Sequence, residues 1–137
     1  MALLFVLLAK YSLTHVFIAE VNNQPVGFIQ CYRHADYPDW DKIVGIKKAA
    51  GIDYLIGEPE FLGKGIGSQM IHQIAQIAFD LFPDIDLILS TPQKLNLASC
   101  RALEKAGFKK LEERKLRSKD PSDAGVACIY ALYRPNV

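Results

Sequence analysis

A glycine-rich stretch in the middle of the chain has residue types and spacing that suit ligand binding. It reads Leu62-Gly-Lys-Gly-Ile-Gly67, and glycines at alternate positions let the backbone turn tightly and approach a ligand closely. From residue 65 to residue 81 apolar residues recur at helical spacing, which predicts an amphipathic helix. The first N–H groups and the dipole of such a helix favour an anion. The stretch therefore predicts either an anion-binding loop or a plain tight turn between a strand and a helix.

Two familiar phosphate-binding patterns do not fit this stretch. The Walker pattern requires Ser or Thr after its Gly-Lys pair, whereas Lys64 is followed by Gly65. In the dinucleotide fingerprint Gly-x-Gly-x-x-Gly the third glycine comes later than Gly67 does here. We therefore exclude both patterns as the identity of the loop.

Carboxylates and aromatic residues are dense just ahead of the glycine stretch. Asp53 lies in the strand-like run 51–56, and the segment 34–50 carries Asp36, Tyr37, Asp39, Trp40 and Asp41. A carboxylate can take a proton from an amine, and an aromatic face can stack on a cation. We expect these residues to line a pocket for a polycationic amine; a solvated acidic loop is the open alternative.

Composition fits one ordinary globular domain over residues 1–137. The chain has 137 residues, of which 50% are hydrophobic and 23% charged. Its net charge of +1 provides no basic footprint for nucleic acid. The three cysteines are odd in number and far apart, and they form neither a metal-ligand spacing nor a disulfide framework. We expect no metal and a reducing cytoplasm.

The apolar start of the chain, residues 1–9, is too short to span a membrane. No positive charge precedes it, and Lys10 and Tyr11 follow where small cleavage-site residues would be needed in a signal peptide. We expect a buried helix or strand here and no membrane association.

The remaining pattern alternates strands and helices. Runs at 15–21 and 26–33 around a turn at 22–25 predict an antiparallel hairpin. The other predicted elements are a loop with a short helix at 34–50, strand 51–56, helix 65–81, a buried strand at 87–91, helix 96–106 ending at Gly107, and strands 108–117 and 126–133. Strand, crossover helix and buried strand form a βαβ unit, which predicts an α/β fold.

Two motifs together resemble the GNAT acyltransferases. Leu62–Gly67 after a strand is similar to the family's pyrophosphate loop, and the run from Asn96 to Gly-Phe108 is similar to its later helix. The resemblance covers roughly residues 15–135. It implies a mixed sheet whose central parallel strands splay apart, with flanking helices, and it implies acetyl-CoA as co-substrate. The cofactor-binding residues that it implies are Ile56, Gly57, Gly63, Lys64, Gly65, Ile66, Gly67, Ser68 and Asn96. A plain helix N-cap is the alternative role for Asn96.

A closer resemblance concerns Gly51-Ile-Asp53 together with the Glu-Lys-Ala-Gly-Phe108 ending. These resemble the aminoglycoside 6'-N-acetyltransferases and the siderophore-type lysine acyltransferases, and so imply N-acetylation of a small cationic amine as an antibiotic-resistance activity. The resemblance implies Asp53 as the base or amine anchor, and a backbone N–H freed by a strand bulge near Ile56 or Gly57 as the oxyanion donor. The acceptor-binding residues that we expect are Asp36, Tyr37, Trp40, Asp53 and Glu58. Acyl transfer to a lysine-like or peptide amine, and a non-catalytic acyl-CoA-binding module, stay open.

Three features depart from the family pattern. Leu62 stands where the family has Gln or Arg, which removes a side chain but keeps the backbone amides. Leu103 stands where many members have a Tyr that protonates the leaving thiolate. Either Tyr130, Tyr133 or water replaces that Tyr, or the thiol leaves unassisted, or activity is weak. The first predicted strand begins only at His15, so we expect an N-terminally shortened domain with residues 1–13 as a remnant. Apolar surface left uncovered by that shortening would suit a homodimer.

Overall fold

The computed structural model describes residues 3–11, 13–56, 65–121 and 124–135. Seven strands lie in these ranges: Leu3–Tyr11 (β1), Thr14–Val21 (β2), Gln24–Arg33 (β3), Ala49–Ile56 (β4), Leu87–Ser90 (β5), Lys109–Lys115 (β6) and Val126–Tyr133 (β7). The α-helices of the same ranges are Pro38–Val44 (α1), Ile66–Leu81 (α2) and Leu97–Lys105 (α3). A 3-10 turn, His34–Asp36, precedes α1.

The described strands form one mixed sheet in the order β1-β2-β3-β4-β5-β7-β6. Only β4 and β5 run parallel to each other, and α2 is the crossover between them. The predicted α/β fold with a central parallel pair is therefore confirmed. None of the helices in the described ranges has the length and apolar content that a membrane-crossing helix requires.

The predicted hairpin is formed by β2 and β3. Asn22 and Asn23 connect the strands with φ values of 52° and 67°. Asn adopts this left-handed conformation more readily than most residues, and two such residues in succession make the turn that matches the twist of a hairpin. The turn fixes the register in which β2 pairs with β3. On its other side β3 pairs with β4, and there Gln30 lies opposite Asp53.

The apolar start of the chain is strand β1 at the edge of the sheet. It pairs antiparallel with β2, so of the helix or strand expected here the structure has a strand. Full burial was also expected, and it is wrong for Val6 and Leu7, whose exposed fractions are 48% and 57%. An apolar run of this length indicates a strand but does not tell whether the strand is central or at an edge.

The short helix expected between residues 34 and 50 is α1. Pro38 occupies its first turn, where a missing N–H costs nothing. Gly45 ends it with φ 73°, and the Gly45 N–H bonds the Asp41 carbonyl at 2.8 Å. Strand β4 then begins at Ala49, two residues earlier than the pattern predicted.

Helix α2 and strand β5 build the core beside the site. The buried residues of α2 are Ile66, Met70, Ile71, Ile74, Ala75, Ala78 and Phe79, and they pack against β3 and β4. All four residues of β5 are buried, as predicted for a parallel strand that is covered on both faces. Fully burying one Ile contributes about 1.5–3 kcal/mol, so this face fixes α2 firmly on the sheet.

The C-terminus of α3 has the glycine cap that the sequence predicted. Gly107 has φ 96°, its N–H bonds the Glu104 carbonyl at 3.0 Å, and the Phe108 N–H bonds the Leu103 carbonyl at 3.0 Å. This pair of hydrogen bonds is the Schellman motif.

The C-terminus of α2 is held by a residue from the far end of the described chain. The Arg134 guanidinium donates to the carbonyls of Ile85 at 3.0 Å, Phe79 at 3.2 Å and Phe82 at 2.8 Å. The guanidinium also lies 4.7 Å from the centre of the Phe79 ring. A cation at this position complements the helix dipole, so Arg134 ties α2 to the end of β7.

Candidate active site

A cleft opens where the two parallel strands diverge. Strand β5 pairs with β4 from Ala49 to Gly51, whereas β3 pairs with β4 from Ala50 through to Ile56. Alternate residues of a strand point their N–H and C=O groups toward each neighbour. The second half of β4 therefore presents backbone N–H groups to a gap that β5 does not fill, as expected for splayed strands.

The register also tests the bulge predicted near Ile56. Pairing of β3 with β4 runs without a break from Arg33–Ala50 to Gly27–Ile56, so the described part of β4 has no bulge against β3, and a bulge at Gly57 stays a prediction. The backbone groups are freed instead by the divergence of β5. Gly57, the other position proposed for an oxyanion donor, lies outside the described residues.

A cavity of about 430 Å³ occupies the cleft beside the end of β4. It is lined by Tyr54, Leu55, Gly65, Gly67, Ser68, Asn96, Ala98, Ser99, Arg101, Ala102 and Lys105. These residues come from β4, the first turn of α2 and one face of α3, so three separate elements form the walls. Of the predicted cofactor-binding residues, the structure brings Gly65, Gly67, Ser68 and Asn96 together here.

The first turn of α2 supplies an anion-favouring wall of this cavity. Gly65 is the residue just before the helix, with φ 78°, and among the described residues no atom lies within 4 Å of a β-carbon built on it. Glycine is thus required there by backbone conformation rather than by space. Ile66 is fully buried in the core. Gly63 and Lys64 lie outside the described residues.

Helix α3 contributes a cap and two cations. The Asn96 side chain accepts a hydrogen bond from the Ser99 N–H at 3.2 Å, so the N-cap role left open by the sequence is present. Asn96 nevertheless also lines the cavity, as do Arg101 and Lys105 one turn apart on the exposed face. The sequence reasoning missed these cations, although their spacing of four residues places them on the same helix face.

A hydroxyl pair joins β4 to α3 inside the cavity. The Tyr54 Oη lies 2.5 Å from the Ser99 Oγ and 3.3 Å from the Ser99 carbonyl oxygen. Burial raises the pKa of the Tyr54 phenol; the hydrogen bond from Ser99 partly opposes that rise, and Cys100 adds to it. No local sequence pattern predicts this contact, because the two residues are 45 positions apart.

Asp53 lies on the other face of the same strand. Its Oδ2 accepts a hydrogen bond from the Gln30 Nε2 at 3.0 Å, and Gln30 is its direct partner on β3. Since neighbouring residues of a strand point to opposite faces, Asp53 and Tyr54 address different sides of the sheet. Asp53 is exposed to solvent at a second cavity.

This second cavity has a volume of about 230 Å³, and half of its lining residues are aromatic. It is lined by Thr14, Gln30, Tyr32, Tyr37, Trp40 and Asp53. The Tyr37 Oη is hydrogen-bonded to the Thr14 Oγ1, which fixes that ring. Tyr37, Trp40 and Asp53 were expected together, and the structure brings them together; Thr14, Gln30 and Tyr32 were missed because they belong to the hairpin strands.

The other carboxylates expected at this cavity are placed elsewhere. Asp36 is half-buried in the 3-10 turn, Asp39 is exposed on α1 and Asp41 is half-buried on the same helix. None of the three is among the described residues that line either cavity. Glu58, the remaining member of the predicted acceptor set, lies outside the described residues.

A buried histidine lies behind the aromatic wall. The His34 ring is 1% exposed, and it stacks on Tyr32 with the ring centres 5.7 Å apart and the planes 7° apart. Burial lowers the pKa of His34 to about 4, although the nearby Asp41 carboxylate acts in the opposite direction. His34 is therefore neutral at neutral pH and serves as a flat support for Tyr32.

The comparisons with known proteins agree with this geometry. The profile described as the acetyltransferase (GNAT) domain matches residues 7–116. The chain belongs to the GNAT acetyltransferase family. The membership predicted from the glycine loop and the α3 motif is thereby confirmed, and we refer to the protein below as this GNAT domain.

Curated relatives of this GNAT domain include aminoglycoside-modifying proteins. The aminoglycoside N(6')-acetyltransferase type 1 of Klebsiella pneumoniae is 33% identical over 107 residues, which cover 75% of this chain and 51% of that protein. A kanamycin resistance protein of Rhizobium radiobacter is 33% identical over 60 residues, covering 44% of this chain and 55% of that protein. This GNAT domain thus spans about half the length of the curated relatives it matches.

Solved structures show the same fold. The aminoglycoside acetyltransferase AAC(6')-Ib in complex with coenzyme A superimposes with a TM-score of 0.75 at 27% identity, covering 88% of this chain and 66% of that chain. The same enzyme in complex with coenzyme A and kanamycin gives 0.75 at 26% identity, covering 88% and 67%. The order of strands and the splayed parallel pair are therefore those of a GNAT fold.

Proposed function

We propose that this GNAT domain transfers the acetyl group of acetyl-CoA to the amino group of a small cationic acceptor, with an aminoglycoside-like 6'-amine as the favoured class. One observation carries the proposal: adjacent residues of β4 line two different cavities, Tyr54 the cleft cavity and Asp53 the aromatic cavity. Acyl donor and amine can therefore approach β4 from opposite faces and meet at the gap beside β5. The similarity to aminoglycoside 6'-N-acetyltransferases supports this substrate class.

The cleft cavity has the chemistry that coenzyme A requires. The diphosphate and phosphate groups of coenzyme A are anionic. The cavity offers them the N-terminus of α2 and the cations Arg101 and Lys105. When bound, acetyl-CoA supplies the thioester whose carbonyl carbon accepts the amine. The residues proposed to hold it are Ile56, Gly57, Gly63, Lys64, Gly65, Ile66, Gly67, Ser68 and Asn96, together with Arg101 and Lys105.

Asp53 is proposed to position the amine and to take its proton. A protonated amine is attracted to the carboxylate, and an amine must lose a proton before or during attack on a carbonyl carbon. The Gln30 amide donates to one oxygen, Oδ2, which holds the carboxylate in one orientation. Tyr37 and Trp40 would face the acceptor ring or cation. Glu58, which lies outside the described residues, stays in the proposed acceptor set, whereas Asp36 is left out because it does not line the aromatic cavity.

Two other functions use the same site. A lysine-like or peptide amine would bind Asp53 in the same way, and the small aromatic cavity suits an acceptor with a single ammonium group. A non-catalytic acyl-CoA-binding module is favoured by the absence of a phenol at position 103, where Leu103 is fully buried. A panel of acceptors separates these alternatives.

The experiment is release of free CoA from acetyl-CoA by the purified chain, with aminoglycosides, lysine analogues and short peptides as acceptors. We expect turnover that prefers aminoglycosides and that falls at least about 100-fold in Asp53→Asn, the scale of general-base catalysis. Asp80→Asn, an exposed carboxylate on α2, is the matched control and should keep the wild-type rate. CoA binding without turnover of any acceptor would instead support the binding module.

Compartment, domain number and assembly remain predictions. Cys31, Cys100 and Cys128 are buried and unpaired, which agrees with the reducing cytoplasm that we propose. A single domain over residues 1–137 is proposed from length. A homodimer is proposed through the edge strand β1, where Val6 and Leu7 are exposed, and sedimentation of the purified chain tests it.

A further inference from the structure

The leaving thiolate of CoA needs a proton, and position 103 on α3, where many family members have a tyrosine for this role, is a leucine in this chain. Leu103 has no acidic group and is fully buried. Of the two phenols considered from sequence, Tyr130 is 1% exposed and donates to the Glu104 Oε2 at 2.7 Å. Tyr133 pairs with Leu87 at the end of β5 remote from the cleft cavity. Neither phenol is among the residues that line that cavity.

Tyr54 of β4 does line the cleft cavity. Its hydroxyl contacts α3 at Ser99, one helical turn before position 103. The Tyr54 Oη contacts Ser99 through both the Oγ, at 2.5 Å, and the carbonyl oxygen, at 3.3 Å. Ser99 also lines the cavity. The Tyr54 ring is partly buried and packs against the hydrophobic core, and its hydroxyl contacts Ser99 of α3.

The direction of helical side chains explains why this location matters. A long side chain in an α-helix points back toward the N-terminus and covers the turn before its own Cα. A tyrosine at position 103 would therefore carry its hydroxyl over the turn that contains Ser99. In this chain the hydroxyl of Tyr54, reaching across from β4, occupies that region instead.

We propose that Tyr54 is the catalytic proton donor to the CoA thiolate and that Ser99 positions it. The inference rests on the proposed acetyl transfer. When the tetrahedral adduct collapses, its C–S bond breaks and the bonding electron pair goes to sulfur. The Tyr54 O–H bond then breaks, its proton passes to that sulfur, and the electron pair stays on the phenolate oxygen. The phenolate accepts a hydrogen bond from the Ser99 Oγ–H and regains its proton from solvent.

The surroundings of the phenol are consistent with this role. Burial is the largest influence on Tyr54 and raises its pKa, so the phenol keeps its proton through the neutral range. The Ser99 hydroxyl stabilises the anion once the proton has left, because a hydrogen bond to the charged form favours that form.

The test compares Tyr54→Phe and Ser99→Ala with wild type by two measurements. The first is kcat for acetyl transfer; we expect a fall of at least about 100-fold for Tyr54→Phe and about 10-fold for Ser99→Ala, with the amine KM unchanged. The second is the pH titration of the thiol of bound CoA, followed by thiolate absorbance and needing no turnover. Loss of a donor to the thiolate should raise the pKa of the bound thiol in both variants.

Tyr133→Phe is the matched control, since it removes a phenol at the opposite end of β5, and it should change neither measurement. If the wild-type chain acetylates an amine and Tyr54→Phe has the same kcat and the same thiol titration, the role of Tyr54 is overturned and the proposed function is not. A wild-type chain that binds CoA but acetylates no amine would overturn the proposed function, and the thiol titration would still decide whether Tyr54 contacts the sulfur. A chain that binds no CoA would overturn both. If Tyr54→Phe fails to fold, Ser99→Ala tests the proposal by the same two measurements, and an unchanged kcat together with an unchanged thiol pKa in that variant would overturn it.

Discussion

The ring of Tyr32 lies directly over Gly51, its cross-strand partner. A β-carbon built on Gly51 would be 2.5 Å from the Cζ of that ring, closer than any van der Waals contact allows. The same ring stacks on His34 and meets Tyr37 edge-on, with centres 5.5 Å apart. Gly51 thus makes room for one wall of the aromatic cavity, and this is a physical reason for the glycine in the Gly-Ile-Asp motif.

Gly51→Ala should therefore weaken acceptor binding at the aromatic cavity and leave CoA binding at the cleft cavity unchanged. Inserting a methyl group under a packed ring costs about 1–3 kcal/mol of unfolding free energy, and the displaced Tyr32 should raise the amine KM while CoA affinity stays at the wild-type value. Chemical unfolding measures the loss of stability, isothermal binding measures the CoA affinity, and the rate of CoA release gives the amine KM. Adding Tyr32→Leu should recover stability without recovering the amine KM. Unchanged stability in Gly51→Ala would mean that the ring moves freely.

The two roles of Asn96 can be separated by substitution. Asn96→Ala removes the side-chain bond to the Ser99 N–H and should cost about 1 kcal/mol of unfolding free energy. Asn96→Ser keeps a capping oxygen and should stay within a few tenths of a kcal/mol of wild type. If Asn96 also contacts CoA, both variants should bind CoA more weakly. If Asn96→Ser binds CoA with wild-type affinity, the role of Asn96 is that of a helix N-cap and it does not contribute to CoA binding.

Arg101 and Lys105 should contribute to CoA binding through charge. Each exposed cation is worth up to about 1 kcal/mol against an anion, so Arg101→Ala and Lys105→Ala should each weaken CoA binding about fivefold. The effect should shrink in high salt, because exposed charges are screened. Lys109→Ala, on an exposed position of β6, is the control and should bind CoA normally. Equal loss at low and high salt would contradict a charge effect.

His34 should make stability depend on mildly acidic pH. Its folded pKa is lowered from 6.5 to about 4, chiefly by burial, so the unfolded chain binds more protons between these values. The stabilising contribution is complete above pH 6.5 and is lost as pH falls toward 4, by up to about 3 kcal/mol. Urea unfolding at a series of pH values measures it. His34→Phe keeps a flat ring for Tyr32 and should flatten this part of the profile; an unchanged slope would assign the loss to other groups.

Elements with a strong local pattern were predictable, and long-range contacts were not. The 3.6-residue apolar period of α2 and the continuous apolar run of β5 gave elements within two residues of the observed bounds. Contacts such as Tyr54 with Ser99, or Arg134 with the C-terminus of α2, join residues 45 or more positions apart. No local period reports such contacts, since they depend on how complete elements pack.

The acceptor side shows a second limit. The cavity residues Tyr37 and Trp40 are close along the chain to three carboxylates, Asp36, Asp39 and Asp41. These three lie on a 3-10 turn and on α1 and do not line the cavity, whereas β4 brings Asp53 to it. Closeness along the chain predicts a region but not the direction of a side chain. Asp53 could be selected because the resemblance supplied its position in a strand, and a strand fixes the face on which each residue lies.

The position of β7 in the sheet affects how the protein can be made. It follows every other described strand in the sequence, yet it lies between β5 and β6. During synthesis β6 therefore leaves the ribosome before the strand that joins it to the sheet exists, and Arg134, which fastens α2, emerges later still. Non-local pairing of this kind delays folding and leaves strand edges open meanwhile. We expect the cleft to assemble only once β7 has been translated, so a stalled nascent chain ending before β7 should lack the capacity to bind CoA.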